Sequence, residues 1–190
     1  MRLHTGQSAP LFDVPDIYGQ RVRLADYVNR KVYISFHRAA ACPLCNLRNH
    51  LLMERYLDYA RHGLRHISFW EATAEQLHYY LDPMRPPFPI IADPERRIYR
   101  QYGLESSLLA PVRARFSRGA DLREARRQGL GAHWLSSIFA APGAAGRLPG
   151  DFLVSPNLRI ARAHYGQDAG DFLLFAEIDA FVAPARVNAV

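Results

Sequence analysis

Two apolar runs separated by an amphipathic segment dominate the hydrophobic pattern of the chain. Residues 31–37 and 64–70 are β-branched and aromatic without a breaker, as is typical of buried parallel strands. The segment between them is predicted to be a helix from Pro43 to about His62, ended by Gly63. Its wide apolar face recurs at i, i+1, i+4, i+5 and i+8, in the residues Leu52, Met53, Tyr56, Leu57 and Ala60. Strand, helix and strand in this order predict a right-handed parallel crossover.

Two shorter patterns predict antiparallel hairpins. Residues 12–24 contain two short strand-like segments that meet at Gly19, so they predict an N-terminal β-hairpin. Residues 152–154 and 159–165 predict a second hairpin, with Pro156 in its turn.

Three further helices are predicted from caps and apolar spacing. Residues 73–80 begin at a threonine that can act as N-cap. Residues 93–102 begin at Asp93, with Pro94 in the first helical position. An amphipathic segment at about 170–182 predicts the last helix.

The order hairpin, βαβ, helices, ββ, α predicts an α/β domain with a central mixed sheet flanked by helices. A chain of 190 residues, 49% hydrophobic and 12% aromatic, fits one domain over residues 1–190 better than two small ones. Residues 104–148 are the least patterned, and we interpret them as a helical insertion with a loop rich in glycine and alanine.

Charge narrows the classes of partner. The formal net charge is +6, and Lys31 is the only lysine among 24 basic residues, which leaves 24 − 1 = 23 arginines. The densest arginine run, 113–127, contains a predicted short helix at 121–128 with acid at its start and arginine at its end, which matches the helix dipole. Aromatic side chains that could stack on bases are nearly absent from that run. The basic residues therefore indicate a solvated face or an acidic partner surface, and we expect no nucleic-acid partner.

The N-terminal residues lack the apolar run of a signal peptide, and no stretch of 18 apolar residues occurs. We therefore expect a soluble, cytoplasmic protein with no membrane partner. In that reducing compartment, a cysteine pair beside a βαβ pattern favours catalysis over a structural disulfide.

Cys42 and Cys45 are the only cysteines, and they stand where the first core strand gives way to the helix. The thiolate is the reactive form of cysteine, and an ordinary thiol with a pKa of about 8.5 is mostly protonated at neutral pH. Because Pro43 fits the first helical position, Cys42 becomes the N-cap, where free N–H groups and the helix dipole favour an anion. Nearby Arg38 and His37 are expected to lower the pKa of Cys42 further. Cys45 lies one turn on and is the natural resolving thiol.

Two other readings of the cysteine pair remain open. The thiols could be inert, in a redox-inactive binding module. Alternatively, Cys42 and Cys45 with His62 and His66 have a spacing close to that of a zinc finger. The predicted helix would hold His62 about 25 Å or more from Cys42, at about 1.5 Å per residue, which argues against zinc.

Several motifs, taken in order, resemble the alkyl hydroperoxide reductase and thiol-specific antioxidant group, especially its peroxiredoxin-like members with a Cys-x-x-Cys. They are Thr5-Gly-Gln-Ser-Ala-Pro-Leu-Phe12, Phe36-His-Arg38, Cys42-Pro-Leu-Cys-Asn-Leu-Arg48, Pro89-Ile-Ile-Ala-Asp-Pro94 with Tyr102-Gly103, and Leu148-Pro-Gly-Asp-Phe-Leu-Val154. The resemblance implies a thioredoxin-like fold and a thiol-dependent oxidoreductase that needs no cofactor. Its implied partners are a peroxide or disulfide substrate and a dithiol electron donor, a thioredoxin- or glutaredoxin-like protein or a small thiol, and it allows a homodimer.

The resemblance also assigns roles to residues. Cys42 would be the attacking thiol and Cys45 its resolving partner. Pro149 would be a cis-proline that faces Cys42 and presents backbone to a substrate, the alternative being an ordinary trans proline at a strand start. Arg38 and Arg147 lie close in sequence to the loops that form the site, and Arg38 is the candidate for substrate positioning.

The sequence departs from peroxiredoxins at two positions. Those enzymes carry a proline and a threonine seven and three residues before the attacking cysteine, where this chain has Ser35 and Ala39. The hydroxyl that helps to hold peroxide is therefore missing at position 39. Peroxide reduction and disulfide exchange both remain candidate reactions.

Overall fold

A five-stranded mixed β-sheet organises the protein in a computed structural model that describes residues 1–104, 118–130 and 146–183. The strands in chain order are β1 (Asp13–Pro15), β2 (Arg21–Arg23), β3 (Lys31–His37), β4 (Leu64–Trp70), β5 (Ile90–Ala92), β6 (Gly150–Val154) and β7 (Ile160–Tyr165). The helices are α1 (Pro43–Arg61), α2 (Ala74–Leu81), α3 (Arg97–Gln101), α4 (Gly119–Arg127) and α5 (Phe175–Val182), with 3-10 turns at Leu24–Tyr27 and Asp82–Met84.

The central sheet has the strand order β5-β4-β3-β6-β7, and β1 and β2 form a separate antiparallel hairpin. Strands β3, β4 and β5 are parallel, whereas β6 and β7 run antiparallel to their neighbours. The register pairs His37 with Trp70 and Trp70 with Ala92. The carboxyl ends of three parallel strands therefore meet at one edge. The predicted hairpins, βαβ unit and mixed sheet are confirmed.

The two faces of the sheet differ in chemistry because side chains alternate along each strand. Val32, Ile34 and Phe36 of β3 face an apolar cluster with Phe69 and Phe152. The opposite face, which packs under α1 and α5, carries buried polar side chains among its apolar ones: Ser35, His37, His66, Ser68 and Asp151. The apolar runs at residues 31–37 and 64–70 did not predict that one face of the sheet is partly polar.

Ser35 links the two buried histidines of this face. Its hydroxyl oxygen lies 3.0 Å from Nε2 of His37 and 2.8 Å from Nε2 of His66. Burial lowers the pKa of His37 to about 3 and the pKa of His66 well below its ordinary value. Both imidazoles are therefore neutral near pH 7.

Helix boundaries follow the prediction in part. Thr73 caps α2 in a capping box with Gln76, as predicted. Helix α3 begins at Arg97 rather than at Pro94, because the carboxylate of Asp93 accepts from backbone N–H groups of residues 97–99 and turns the chain first.

Helix α5 begins five residues later than the predicted start at 170. The non-helical segment before it carries Leu173, whose backbone N–H donates to the buried carboxylate of Asp151 at 2.7 Å. In the 104–148 segment, the short basic helix is present as α4, and the remaining parts, 105–117 and 131–145, lie outside the described residues.

Candidate active site

The cysteine pair sits at the start of α1, just beyond the carboxyl end of β3. Pro43 opens the helix and Cys42 is its N-cap in extended conformation, as predicted. The backbone N–H of Cys45 donates to Sγ of Cys42 at 3.4 Å. The helix start therefore offers a donor to the Cys42 sulfur that an ordinary cysteine lacks.

The two sulfurs lie 2.7 Å apart, and both cysteines are free thiols. Cys42 is 5% exposed and Cys45 is completely buried. A disulfide between them needs only a small shift of the side chains.

The two thiols have opposite electrostatic environments. The pKa of Cys42 is lowered to about 6, first by the thiol of Cys45, which donates to it, then by Arg38 and by backbone N–H groups of Cys45 and Leu44, with burial opposing. Burial raises the pKa of Cys45, and the neighbouring Cys42 adds to that rise. Cys42 is therefore the thiolate and Cys45 the proton-bearing partner at neutral pH. The helix start contributes, but it is a smaller cause than the sequence suggested.

Arg38 approaches the pair, and His37 does not act as expected. Nη1 of Arg38 lies 3.7 Å from Sγ of Cys42, and the backbone N–H of Arg38 lies 3.5 Å from Sγ of Cys45. The expectation that His37 also lowers the pKa of Cys42 is wrong, because its ring is buried, neutral and stacked on Trp70 with centroids 4.3 Å apart.

The expected cis peptide bond at Pro149 is wrong. No cis bond occurs among the described residues, so Pro149 is trans. It precedes β6, and its carbonyl accepts from the N–H of Gly166 at 3.0 Å. A Cβ at position 166 would lie 2.8 Å from the Pro149 ring. This close packing against Gly166 suits an ordinary trans proline at a strand start.

A charged cluster that the motif reasoning missed lies at the same edge of the sheet. Oε1 of Glu71 lies 2.8 Å from Nη2 of Arg147, and Oε2 of Glu71 lies 3.4 Å from Nε of Arg96. Burial raises the pKa of Glu71, and Arg147, Arg96 and Arg38 act against that rise. Glu71 directly follows a predicted core strand, as Arg38 does, and that shared position was the available signal.

A cleft of about 170 Å³ runs along α1 from its first turn. Its apolar walls include Leu44, Leu47 and Leu51 on the helix and Phe172 and Phe175, and the charged residues Arg48, Arg118 and Asp121 also line it. The backbone N–H of Leu44 also donates to the Cys42 sulfur. The cleft therefore begins at Leu44, two residues after Cys42, and Cys42 itself is not among the residues that line it.

The four residues of the zinc alternative do not come together. His62 follows the last residue of the 19-residue helix α1, at the end opposite to Cys42. His66 forms a hydrogen bond with Ser35. Within the described segments, no three His, Cys, Asp or Glu side chains gather closely enough to hold a metal ion.

The AhpC/TSA family model matches residues 5–163. The chain belongs to the AhpC/TSA family. It is 32% identical over 102 residues to a Mycobacterium tuberculosis protein assigned as a peroxiredoxin, a match that covers 54% of this chain and 65% of that protein. The match thus spans 65%, less than two thirds, of the length of the curated relatives.

Solved structures show the same fold. Peroxidoxin BcpB from Mycobacterium tuberculosis superposes with a TM-score of 0.65 at 15% identity, with all of both chains covered. A Chlorobium tepidum protein assigned as the thiol:disulfide interchange protein DsbE gives 0.63 at 18% identity, covering 95% of this chain and 99% of that one. The predicted thioredoxin-like, peroxiredoxin-like fold is confirmed.

Ser35 and Ala39, the two positions where the sequence departs from the peroxiredoxin pattern, have the following contacts. The hydroxyl of Ser35 is engaged by the two buried histidines. Ala39 offers only its backbone carbonyl, which accepts from the N–H of Cys42 at 2.9 Å. Arg38 is thus the charged side chain seen to contact Cys42 among the described residues of the site.

No helix in the described part of the chain combines the length and apolarity that crossing a membrane requires.

Proposed function

We propose that this AhpC/TSA protein is a thiol-dependent peroxidase that works through Cys42 and Cys45. The Cys42 thiolate attacks one oxygen of a hydroperoxide, the O–O bond breaks, and the leaving oxygen takes a proton to give an alcohol or water. The Cys42 sulfenic acid then condenses with the Cys45 thiol, which releases water and forms the Cys42–Cys45 disulfide. A dithiol donor reduces that disulfide and is itself oxidised.

The observation that carries this proposal is the asymmetric pair itself. Cys42 has a pKa of about 6, whereas the pKa of Cys45 is raised, so one thiol is ready to attack and the other retains the proton needed for condensation. The attacking sulfur of a peroxidase must be ionised at neutral pH. Arg38, at 3.7 Å, balances the thiolate charge and is the candidate for orienting the peroxide.

Burial of the thiol favours a small oxidant. Cys42 is 5% exposed, so a hydroperoxide reaches its sulfur more readily than a folded protein disulfide does. The cleft beside Leu44 is close in volume to an apolar cavity of about 150 Å³ that holds benzene. We infer that it accepts the organic part of a hydroperoxide with a short alkyl chain or one aromatic ring.

Disulfide exchange is the second candidate function. It is favoured by Ser35 and Ala39, since neither supplies a free side-chain hydroxyl at the thiol. In that case Cys42 attacks a substrate disulfide, and Cys45 displaces the product thiol.

We propose a thioredoxin- or glutaredoxin-like protein or a small dithiol as donor and the reducing cytoplasm as compartment. We also propose one domain over residues 1–190.

A donor-coupled assay with three oxidants tests the function: hydrogen peroxide, an aryl hydroperoxide and a protein disulfide. We expect turnover with both peroxides and little with the disulfide. Cys42→Ser should abolish turnover, and Cys45→Ser should accumulate Cys42 sulfenic acid, seen as a mass gain of one oxygen. Equal residual activity in the two variants would refute the roles. A Cys42 that reacts with iodoacetamide no faster than free cysteine at pH 7 would favour a redox-inert module.

A further inference from the structure

The edge of the sheet next to Cys42 gathers one carboxylate among three guanidinium groups. The register pairs the last residues of β3 and β4, His37 and Trp70, so the next residues, Arg38 and Glu71, follow side by side. Adjacent strands lie about 4.8 Å apart, which keeps these two residues neighbours. Trp70 also pairs with Ala92, which brings the turn after β5, with Arg96, to the same place.

Glu71 makes the contacts that hold this group together. Its carboxylate reaches Arg147 from the segment before β6 at 2.8 Å and Arg96 at 3.4 Å, and its side chain is only 10% exposed. The other nearby carboxylate, Asp93, is occupied by the backbone N–H groups at the start of α3. Glu71 is thus the carboxylate available to hold the guanidinium groups of this edge.

The backbone at Arg96 is also unusual. Arg96 has a backbone φ of 58°, in the left-handed region that residues other than glycine and asparagine rarely adopt. Residues in such conformations persist where the surroundings hold them, and they cluster at functional sites. The contact with Glu71 is one of the interactions that hold Arg96 there.

We propose that Glu71 is a positioning residue, which holds Arg96 and Arg147 beside Arg38 so that their positive charge faces the peroxide bound at Cys42. This inference rests on the proposed peroxidase function. Preorganised cations stabilise the charge that develops on the oxygen leaving the peroxide, without having to move during the reaction. Without the carboxylate, Arg96 and Arg147 repel each other, and the charge near the thiol is no longer held in place.

The test compares two electrophiles on single-turnover reaction of Cys42. Hydrogen peroxide develops negative charge on its leaving oxygen near the arginines, whereas iodoacetamide only reports the reactivity of the thiolate. In Glu71→Gln we expect the second-order rate with peroxide to fall about tenfold or more. The rate with iodoacetamide and its pH midpoint should stay within about twofold and about half a unit of the wild type, because Arg38 and the Cys45 thiol still stabilise the thiolate.

Companion variants keep the result interpretable. Glu71→Asp retains the charge and should recover most of the peroxide rate, and the exposed Glu75→Gln should match the wild type. Arg147→Gln should lower the peroxide rate selectively. In the double variant with Glu71→Gln, the two losses should not multiply, since both break one contact. If Glu71→Gln does not fold, Arg147→Gln alone carries the test.

Several results would overturn the inference. They are an unchanged peroxide rate in Glu71→Gln or Arg147→Gln, an equal loss with both electrophiles, and a Glu71→Asp variant as slow as Glu71→Gln. Wild-type protein that does not react with peroxide would overturn the peroxidase function and this inference with it. A reactive wild type with a normal Glu71→Gln variant would overturn this inference alone.

Discussion

Replacing Arg38 by methionine should make Cys42 a weaker acid and a slower nucleophile at neutral pH. Nη1 of Arg38 lies 3.7 Å from the Cys42 sulfur, and after the hydrogen bond from the Cys45 thiol its positive charge does most to lower the pKa of Cys42. Methionine keeps much of the volume of the side chain and removes its charge. The hydrogen bond from Cys45 remains in the variant, so the effect isolates the guanidinium.

The distance sets the size of the effect. Two unit charges about 4 Å apart attract by about 1 kcal/mol in water and about 4 kcal/mol at an effective dielectric constant near 20. Arg38 is partly exposed, so we take the lower half of this range, which corresponds to about 1 to 2 pKa units. From its value of about 6, the Cys42 pKa should therefore rise to between about 7 and 8 in the variant. At pH 6.5 the thiolate fraction then falls from about three quarters to about one quarter or less.

The measurement is the rate of Cys42 alkylation by iodoacetamide between pH 4 and 10, followed by intact mass. Cys45 does not interfere, because it is buried and its pKa is raised. Arg61→Met is the matched control, since Arg61 is an exposed arginine at the opposite end of α1. Arg38→Lys keeps the charge and should give an intermediate midpoint.

A midpoint for Arg38→Met within about 0.3 unit of the wild type would refute this reasoning, because even the value for bulk water predicts more. An equal shift in the Arg61→Met control would show that net charge, and not the contact with the thiolate, sets the reactivity.

Three further predictions follow from the site and its support. Cys45→Ala removes the thiol donor and should raise the alkylation midpoint of Cys42; an unchanged midpoint would contradict the pair geometry. The pKa of His37 is about 3 in the folded protein and about 6.5 in the unfolded chain. Because the unfolded chain therefore protonates this imidazole first, the free energy of unfolding should fall as the pH drops from about 6.5 to about 3. Urea unfolding at pH 7, 5 and 4 measures this loss, which should be smaller in His37→Gln. Arg48→Met should destabilise the fold by about 3 to 5 kcal/mol in urea unfolding, because Arg48 is a buried cation that favours the charged form of the buried Asp151. Arg55→Met, at a half-exposed arginine that also lies over the Phe175 ring, should cost less than about 1 kcal/mol.

The parts of the fold that depend on local pattern could be predicted from the sequence. Residues 31–37 and 64–70 form strands because their apolar runs are long and unbroken, and α1 begins where Pro43 fits the first helical position. The placement of Cys42 as N-cap, and with it the lowered pKa, follows from the same local chemistry. These features need only neighbours along the chain.

The failures at His37 and Glu71 depend on neighbours that are distant in sequence, whereas the failure at the start of α3 is local. His37 was expected to be a cation near the thiol, but β3 places its ring under α1, where burial first and then Arg48 lower its pKa and keep it neutral. The start of α3 shifts because the carboxylate of Asp93 accepts from the backbone N–H groups of Arg97 and Ile98. The only sequence signal for Glu71 was its place after a core strand, and its contacts with Arg96 and Arg147 become visible only in the structure.

The buried polar side chains between α1 and the sheet, here called the polar layer, fix the position of this helix. Nη2 of Arg48 donates to the carbonyl of Leu173 at 2.7 Å and to the Tyr33 hydroxyl at 3.3 Å, and that hydroxyl donates to Asp151 at 2.6 Å. Apolar side chains would allow the helix to slide on the sheet at little cost, whereas buried hydrogen bonds tolerate only one alignment. The same helix carries Cys45 one turn before Arg48, so fixing the helix fixes the distance between the thiols and Arg38. We therefore expect Tyr33→Phe to slow the reaction of Cys42 with peroxide more than Tyr59→Phe, a change on α1 that removes the hydrogen bond from Tyr59 to Asp179 of α5. Equal rates in the two variants would show that the polar layer serves stability alone.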